Sequence, residues 1–269
     1  MKQITLMFLS FLMLGFSAMA QKTTDKIVLK EGQVVNMTTD MKSDIKQAQR
    51  GDMKTDMTLV SSMKVSEIND KGYVLEATMN KARMNFEGFG MKQEYDSEDK
   101  DKKEGMMAKA FEKVLGKSEN VLLGFDGKVI VDPADASKKK GGMMRMMGGA
   151  DIASTIEGVF LLLPEDLEVG KKWRTTTEKE GLKVITEYTY KGMMGNMANL
   201  TANQQSKGEV ESPRATTNVN QLTQMTIMVD AKTGLISMKT SKTNDKSSTE
   251  MGGETYKNEG VTSMTITCE

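Results

Sequence analysis

A strict two-residue alternation of apolar and polar side chains constrains this fold more than any other feature of the sequence. In residues 52–66 the odd positions are mostly Met, Leu and Val, and the even positions are mostly Asp, Lys, Ser and Thr. Successive side chains of a strand point to opposite faces, so the pattern predicts a half-buried antiparallel strand. The pattern returns at Tyr73 after a turn over 69–72, which predicts a hairpin over 52–80. It then changes phase at Ala82, which predicts a bulge or a bend.

The same alternation recurs through the rest of the chain. It predicts a hairpin that turns at Asp126-Gly127, a strand over 182–190, a hairpin that turns over 230–234, and a final strand over 261–268. Many short strands separated by turn residues are typical of a mainly β fold.

Two segments have helical periodicity instead. Residues 104–117 and 151–163 each place their apolar side chains on one face, and Asp151 and Pro164 are suited to begin and end the second helix. An apolar helix face has to be buried against another element. The predicted fold is therefore mainly β (α+β), with curved antiparallel sheet and two short amphipathic helices packed on its apolar face.

A weak internal repeat suggests how the sheet is organised. Residues 29–35 (LKEGQVV) resemble residues 167–173 (LEVGKKW), and a Thr-rich strand follows each segment. We expect one β-rich domain over 21–269, made of two half-repeats at about 21–140 and 150–269. Chance similarity between Thr-rich β sequences is the alternative.

The N-terminus predicts export. Residues 1–20 contain Lys2, an apolar run and a small-x-small site that ends at Ala20. These are the parts of a cleavable signal peptide, and no Cys follows that would indicate a lipoprotein. An N-terminal membrane anchor is the alternative, although the run is short for a membrane span. We expect a periplasmic or secreted protein.

Composition argues against several functional classes. The chain contains no histidine, which excludes Ser-His-Asp and Cys-His catalysis and zinc sites built on imidazole. Its 37 basic and 37 acidic residues give no excess positive charge for a nucleic acid. Cys268 is the single cysteine and is expected to be an inward-facing strand residue. We expect a non-enzymatic protein without a cofactor.

Four segments carry a resemblance to a known family. They are LKEGQVVNMTT (29–39), EYDSEDKD (94–101), GFDGKVIV (124–131) and LLPEDLEVGKKW (162–173). In these segments the chain resembles a family of exported proteins of unknown function that is common in Bacteroidota-type bacteria. The resemblance implies a curved sheet similar to that of bacterial lipoprotein carriers, in which helices cover a concave apolar face. It implies no activity and no catalytic residues.

Methionine, with 26 residues, suggests two kinds of site. The first is an adaptable apolar cavity on the inner face of the sheet, for a hydrophobic small molecule or a component of the cell envelope. The second is a thioether site for Cu(I) in the glycine-flanked cluster Met143, Met144, Met146 and Met147. Packing of these side chains against the core is the alternative to metal binding, and a purely structural or interaction module is the third hypothesis for the whole protein.

Overall fold

The computed structural model describes residues 25–47, 51–88, 90–99, 101, 105–130, 152–179, 181–212 and 215–269. These residues form one sheet of twelve strands and two short helices. The strands are β1 (Val34–Gln47), β2 (Gly51–Asn69), β3 (Gly72–Gly88), β4 (Met91–Asp96), β5 (Ser118–Gly124), β6 (Val129–Ile130), β7 (Lys172–Lys179), β8 (Leu182–Met194), β9 (Met197–Ser212), β10 (Ala215–Asp230), β11 (Ile236–Met251) and β12 (Glu254–Cys268). The helices are α1 (Met106–Phe111) and α2 (Ile152–Glu157).

The sheet is open, curved and antiparallel, which confirms the predicted fold class. Its strand order is β6-β5-β3-β2-β1-β12-β11-β10-β9-β8-β7, and β4 pairs with one end of β3. The first and last strands are therefore neighbours in the middle of the sheet. One run of hairpins extends from β1 towards β6 and the other from β12 towards β7. No helix among the described residues is long and apolar enough to cross a bilayer.

The predicted hairpin forms between β2 and β3. Its turn is stabilised by Asn69, whose side-chain oxygen accepts hydrogen bonds from the backbone N–H groups of Lys71 and Gly72. The odd-numbered apolar side chains of β2 from Met57 to Val65 are buried, as the alternation predicts. The pairing register shifts between Val60 and Ser61, which is the bulge that the phase change at Ala82 predicts. We call the face of the sheet that these buried side chains occupy the inner face.

Both helices lie against the inner face, but each is shorter than predicted. Helix α1 packs Met107 and Phe111 over β1–β3, and α2 packs Ile156 against the cluster that contains Val35 and Leu75. The segment before β1 covers the same end of the sheet. Its Ile27 is fully buried, and the Ile27 carbonyl accepts a 2.7 Å hydrogen bond from the Tyr73 hydroxyl.

Strand-like pairing ends each helix early. After α1, the N–H of Gly116 donates to the carbonyl of Met79 in β3 at 2.8 Å. After α2, Phe160 forms a bridge with Leu235, so residues 158–163 are not helical as the periodicity predicted. An apolar pattern identifies the buried side chains but does not reveal that the sheet offers better backbone partners. The predicted capping residue Asp151 lies outside the described residues.

The turns that precede β1 and β7 are alike. In the first, the N–H of Gln33 donates to the carbonyl of Lys30 at 3.0 Å, and in the second the N–H of Lys171 donates to the carbonyl of Glu168 at 2.8 Å. The glycine before each donor has a positive φ, 77° at Gly32 and 89° at Gly170. The two segments that match in sequence therefore fold alike, while the extent of the two half-repeats stays a prediction.

Candidate ligand-binding site

One row of side chains across the inner face is rich in methionine. The register places Met41 between Met57 and Met264, and places Met57 beside Met84, so that four adjacent strands each contribute a methionine. The row continues across the remaining strands to β7. We define the methionine row, from β3 to β7, as Met84, Met57, Met41, Met264, Ser241, Met225, Ala202, Tyr188 and Trp173.

Helix α1 covers one end of the methionine row. Met41, Met57 and Met84 are buried in the same cluster as the apolar face of this helix. Phe111 of α1 stacks on Tyr95, with 4.7 Å between the ring centroids. Here the unbranched thioether side chains fill the space between sheet and helix.

The other end of the row stays partly open to solvent. Met264, Met225, Tyr188 and Trp173 are half-buried, and we call these four side chains the open part of the methionine row. The rings of Trp173 and Tyr188 are stacked, with centroids 5.1 Å apart and planes 13° apart. Burial raises the pKa of the Tyr188 hydroxyl above its ordinary value. The open part is thus an apolar and aromatic surface on a rigid sheet.

A polar row borders the methionine row on the side away from α2. Ser43 and Thr262 share a hydrogen bond of 2.8 Å, and Thr223 and Thr243 share one of 2.9 Å. In these two pairs the hydroxyl groups already have hydrogen-bond partners, and the residue types of the row make it polar and uncharged. We define the hydroxyl row as Thr55, Ser43, Thr262, Thr243, Thr223, Gln204, Thr186 and Thr175.

A lysine lies on the other side of the methionine row, towards α2. Lys239 of β11 pairs with Ile227 of β10 and with Ile266 of β12, so its neighbours across the sheet are apolar. Its Nζ donates a 2.7 Å hydrogen bond to the backbone carbonyl of Gly158, just after α2. Among the described residues no carboxylate forms a salt bridge with it. Lys239 is thus a cation within an apolar part of the inner face.

Burial shifts the pKa values of Lys239 and of the nearby Cys268 thiol. Desolvation lowers the pKa of the Lys239 ammonium, and its electrostatic interaction with Cys268 opposes that change. Desolvation also raises the pKa of Cys268 to about 11. Cys268 is buried and paired with Met37, which confirms that it is an inward-facing strand residue.

Sequence reasoning missed Lys239 because of a local irregularity. Met228 pairs with Met238, but the next residue, Val229, pairs with Ile236, so Ser237 is an extra residue in β11. Simple alternation from Ile236 would turn Met238 inward. The extra residue turns Lys239 inward instead. Nothing in the sequence around Lys239 indicates such a bulge.

The opposite face of the sheet carries two shallow grooves. One, of about 420 Å³, is lined mostly by outward-facing residues of β9–β11 such as Asn203, Gln224 and Lys242. The other, of about 440 Å³, is lined by charged residues such as Asp56 and Lys54. Most of the residues that line these grooves are polar or charged, whereas the open part of the methionine row consists of apolar and aromatic side chains.

The predicted thioether site cannot be placed in the fold. Met143, Met144, Met146 and Met147 lie outside the described residues, so the Cu(I) hypothesis stays a prediction. Within the described parts of the chain, Cys, Asp and Glu side chains form no cluster that could hold a metal ion.

Comparisons with known proteins identify a fold and not a family. No protein-family model matches the chain, and no curated protein matches it. Among solved structures, lipovitellin is similar with a TM-score of 0.54 and 9% identity, over 90% of this chain and 25% of the lipovitellin chain. An outer membrane channel from Pseudomonas putida F1 matches with a TM-score of 0.23 and 9% identity, over 91% of this chain and 98% of the channel. The chain thus spans about a quarter of lipovitellin, and that likeness shows the fold alone.

Proposed function

We propose that this protein is an exported, non-enzymatic binding protein. Its ligand is an apolar molecule or an apolar part of an envelope partner, and its site is the open part of the methionine row. The observation that carries the proposal is the partial exposure of Met264, Met225, Tyr188 and Trp173 within one row on one face of the sheet.

The chemistry of the surface favours a lipid-like ligand. Methionine side chains adapt to apolar groups of varied shape, and the stacked Trp173 and Tyr188 rings supply a flat apolar surface. The hydroxyl row beside them offers neutral donors and acceptors. A molecule with an apolar chain and a polar end would match both rows at once.

Two further observations are consistent with this proposal. The signal-like residues 1–20 and the absence of histidine in the chain favour an exported protein without histidine-dependent chemistry. Lipovitellin, whose sheet is similar to this one, is a protein with lipid–protein interactions. A sheet of that kind is a suitable support for a lipid ligand.

Fluorescence binding of a neutral probe tests the proposal. The methyl ester of cis-parinaric acid is apolar and uncharged, and we expect the wild-type protein to bind it saturably. The substitution Met225→Asp places a carboxylate on the open part of the row, and its desolvation should weaken binding at least about tenfold. Thr226→Asp is the matched control, because Thr226 is exposed on the opposite face of the same strand.

Two results would refute this function. One is the absence of saturable binding by the wild-type protein. The other is equal binding by the Met225→Asp and Thr226→Asp variants. Native mass spectrometry of protein purified from its own periplasm is an independent measurement: a bound lipid-like mass supports the proposal, and a homogeneous apo mass together with no probe binding leaves a structural or interaction module.

A further inference from the structure

We infer that Lys239 binds the carboxylate of a monoanionic amphiphile whose apolar chain lies on the open part of the methionine row. This inference rests on the proposed function and names the class of ligand. It predicts that the protein prefers an ionised fatty acid to a neutral lipid of the same chain.

The Lys239 side chain is half-buried, and its surroundings offer few partners for an ammonium. An ammonium has three N–H donors, and the Gly158 carbonyl accepts one of them. Ile227 and Ile266 flank Lys239 across the sheet and accept none. Partial removal of an ammonium from water is unfavourable unless a counter-ion or hydrogen-bond acceptors compensate for it. A ligand anion would supply the missing partner.

The position of Lys239 suits the head group of such a ligand. Ser241, two residues further along β11, belongs to the methionine row and pairs with both Met264 and Met225. Two residues of a strand span about 6–7 Å, so the head-group site and the apolar surface are adjacent on the inner face. A carboxylate at Lys239 would therefore place the first carbons of its chain beside Met225 and Met264.

A monoanion fits better than a phosphate dianion. On the inner face of β8–β12, Lys239 is the one cationic side chain among the described residues. The other lysines of β11, Lys242 and Lys246, are exposed on the opposite face. One ammonium balances one carboxylate, whereas phosphate sites usually combine several donors with Arg or Lys. Binding also returns the lowered pKa of Lys239 towards its ordinary value, since it supplies a negative partner.

The test compares cis-parinaric acid with its methyl ester at neutral pH. In the wild-type protein we expect the acid to bind roughly tenfold to hundredfold more tightly, which corresponds to one charge-assisted contact. Lys239→Met keeps an unbranched side chain and removes the charge, so it should abolish the preference and retain binding of the ester. Lys242→Met is the control on the same strand and should keep the preference.

The outcomes separate this inference from the proposed function. Binding of acid and ester with equal affinity by the wild-type protein overturns the role of Lys239 and leaves the apolar site intact. A loss of both affinities in Lys239→Met, with an unchanged circular dichroism spectrum, shows a structural role for Lys239 and also overturns the inference. Absence of binding of either probe refutes the apolar site itself.

Discussion

Alkaline pH should destabilise the protein through the buried thiol of Cys268. Burial raises the pKa of this thiol from 9.0 to about 11 in the folded chain. Between these pH values the Cys268 thiol is ionised in the unfolded chain but still protonated in the folded chain. Ionisation therefore favours the unfolded chain, so the stabilisation is fully present below pH 9.0 and is lost as the pH rises through about 11. A pKa difference of about two pH units corresponds to roughly 3 kcal/mol of unfolding free energy.

Urea unfolding from about pH 8 to about pH 12 measures this loss, and Cys268→Ala provides the reference. The reference is needed because other buried groups titrate in the same range. Burial raises the pKa of Tyr188, whose contribution is also lost at high pH, and lowers the pKa of Lys239, whose contribution changes in the opposite direction. Both groups are present in the variant, so the contribution of Tyr188 cancels in the difference, whereas the interaction between Lys239 and Cys268 is part of the measured effect of the thiol. If the two proteins lose stability in parallel, the thiol is not shielded from water and the reasoning is wrong.

Two further predictions concern the sheet itself. Leu200→Ala, at a fully buried position of β9, should reduce the free energy of unfolding by about 2–5 kcal/mol, whereas Leu222→Ala, at a position 53% exposed, should change it by less than about 0.5 kcal/mol. Comparable urea midpoints for both variants would contradict the assigned core. Gly208→Ala should reduce the free energy of unfolding by about 3 kcal/mol, because its Cβ would lie 2.0 Å from the Gly181 carbonyl oxygen. Gly252→Ala should reduce it by about 1 kcal/mol, because Gly252 has a positive φ but its Cβ would have no atom within 4 Å. Equal thermal midpoints for these two variants would count against the close approach of β8 and β9.

Alternation predicted the strands well because it reports directly on burial. The turn at Asn69, the bulge just before Ala82 and the inward position of Cys268 all follow from side-chain period and turn chemistry. Helix ends were less predictable. Phe160 keeps a buried position in either conformation, so its apolar character could not distinguish a continued helix from the bridge that it forms with Leu235.

The sequence predicts the apolar character of the candidate site but not the residues that form it. The sequence indicates an apolar inner face with many methionines, but the methionine row exists only because of registers between strands far apart in the chain, such as that of Met41 and Met264. Lys239 faces inward because of one extra residue, Ser237, in β11. A bulge of this kind depends on how β10 and β11 meet near their turn, which local sequence does not encode.

The pairing of β1 with β12 has a consequence for the order of assembly. The contact between β1 and β12 joins Ser43 to Thr262, which are separated by 219 positions, so this seam between the two strands cannot close until β12 has been synthesised. Hairpins on either side can form earlier, because their loops are short and cost little entropy to close. The seam runs between Met41 and Met264, through the middle of the methionine row. A chain without β12 would therefore lack a continuous methionine row, the surface on which the proposed ligand lies.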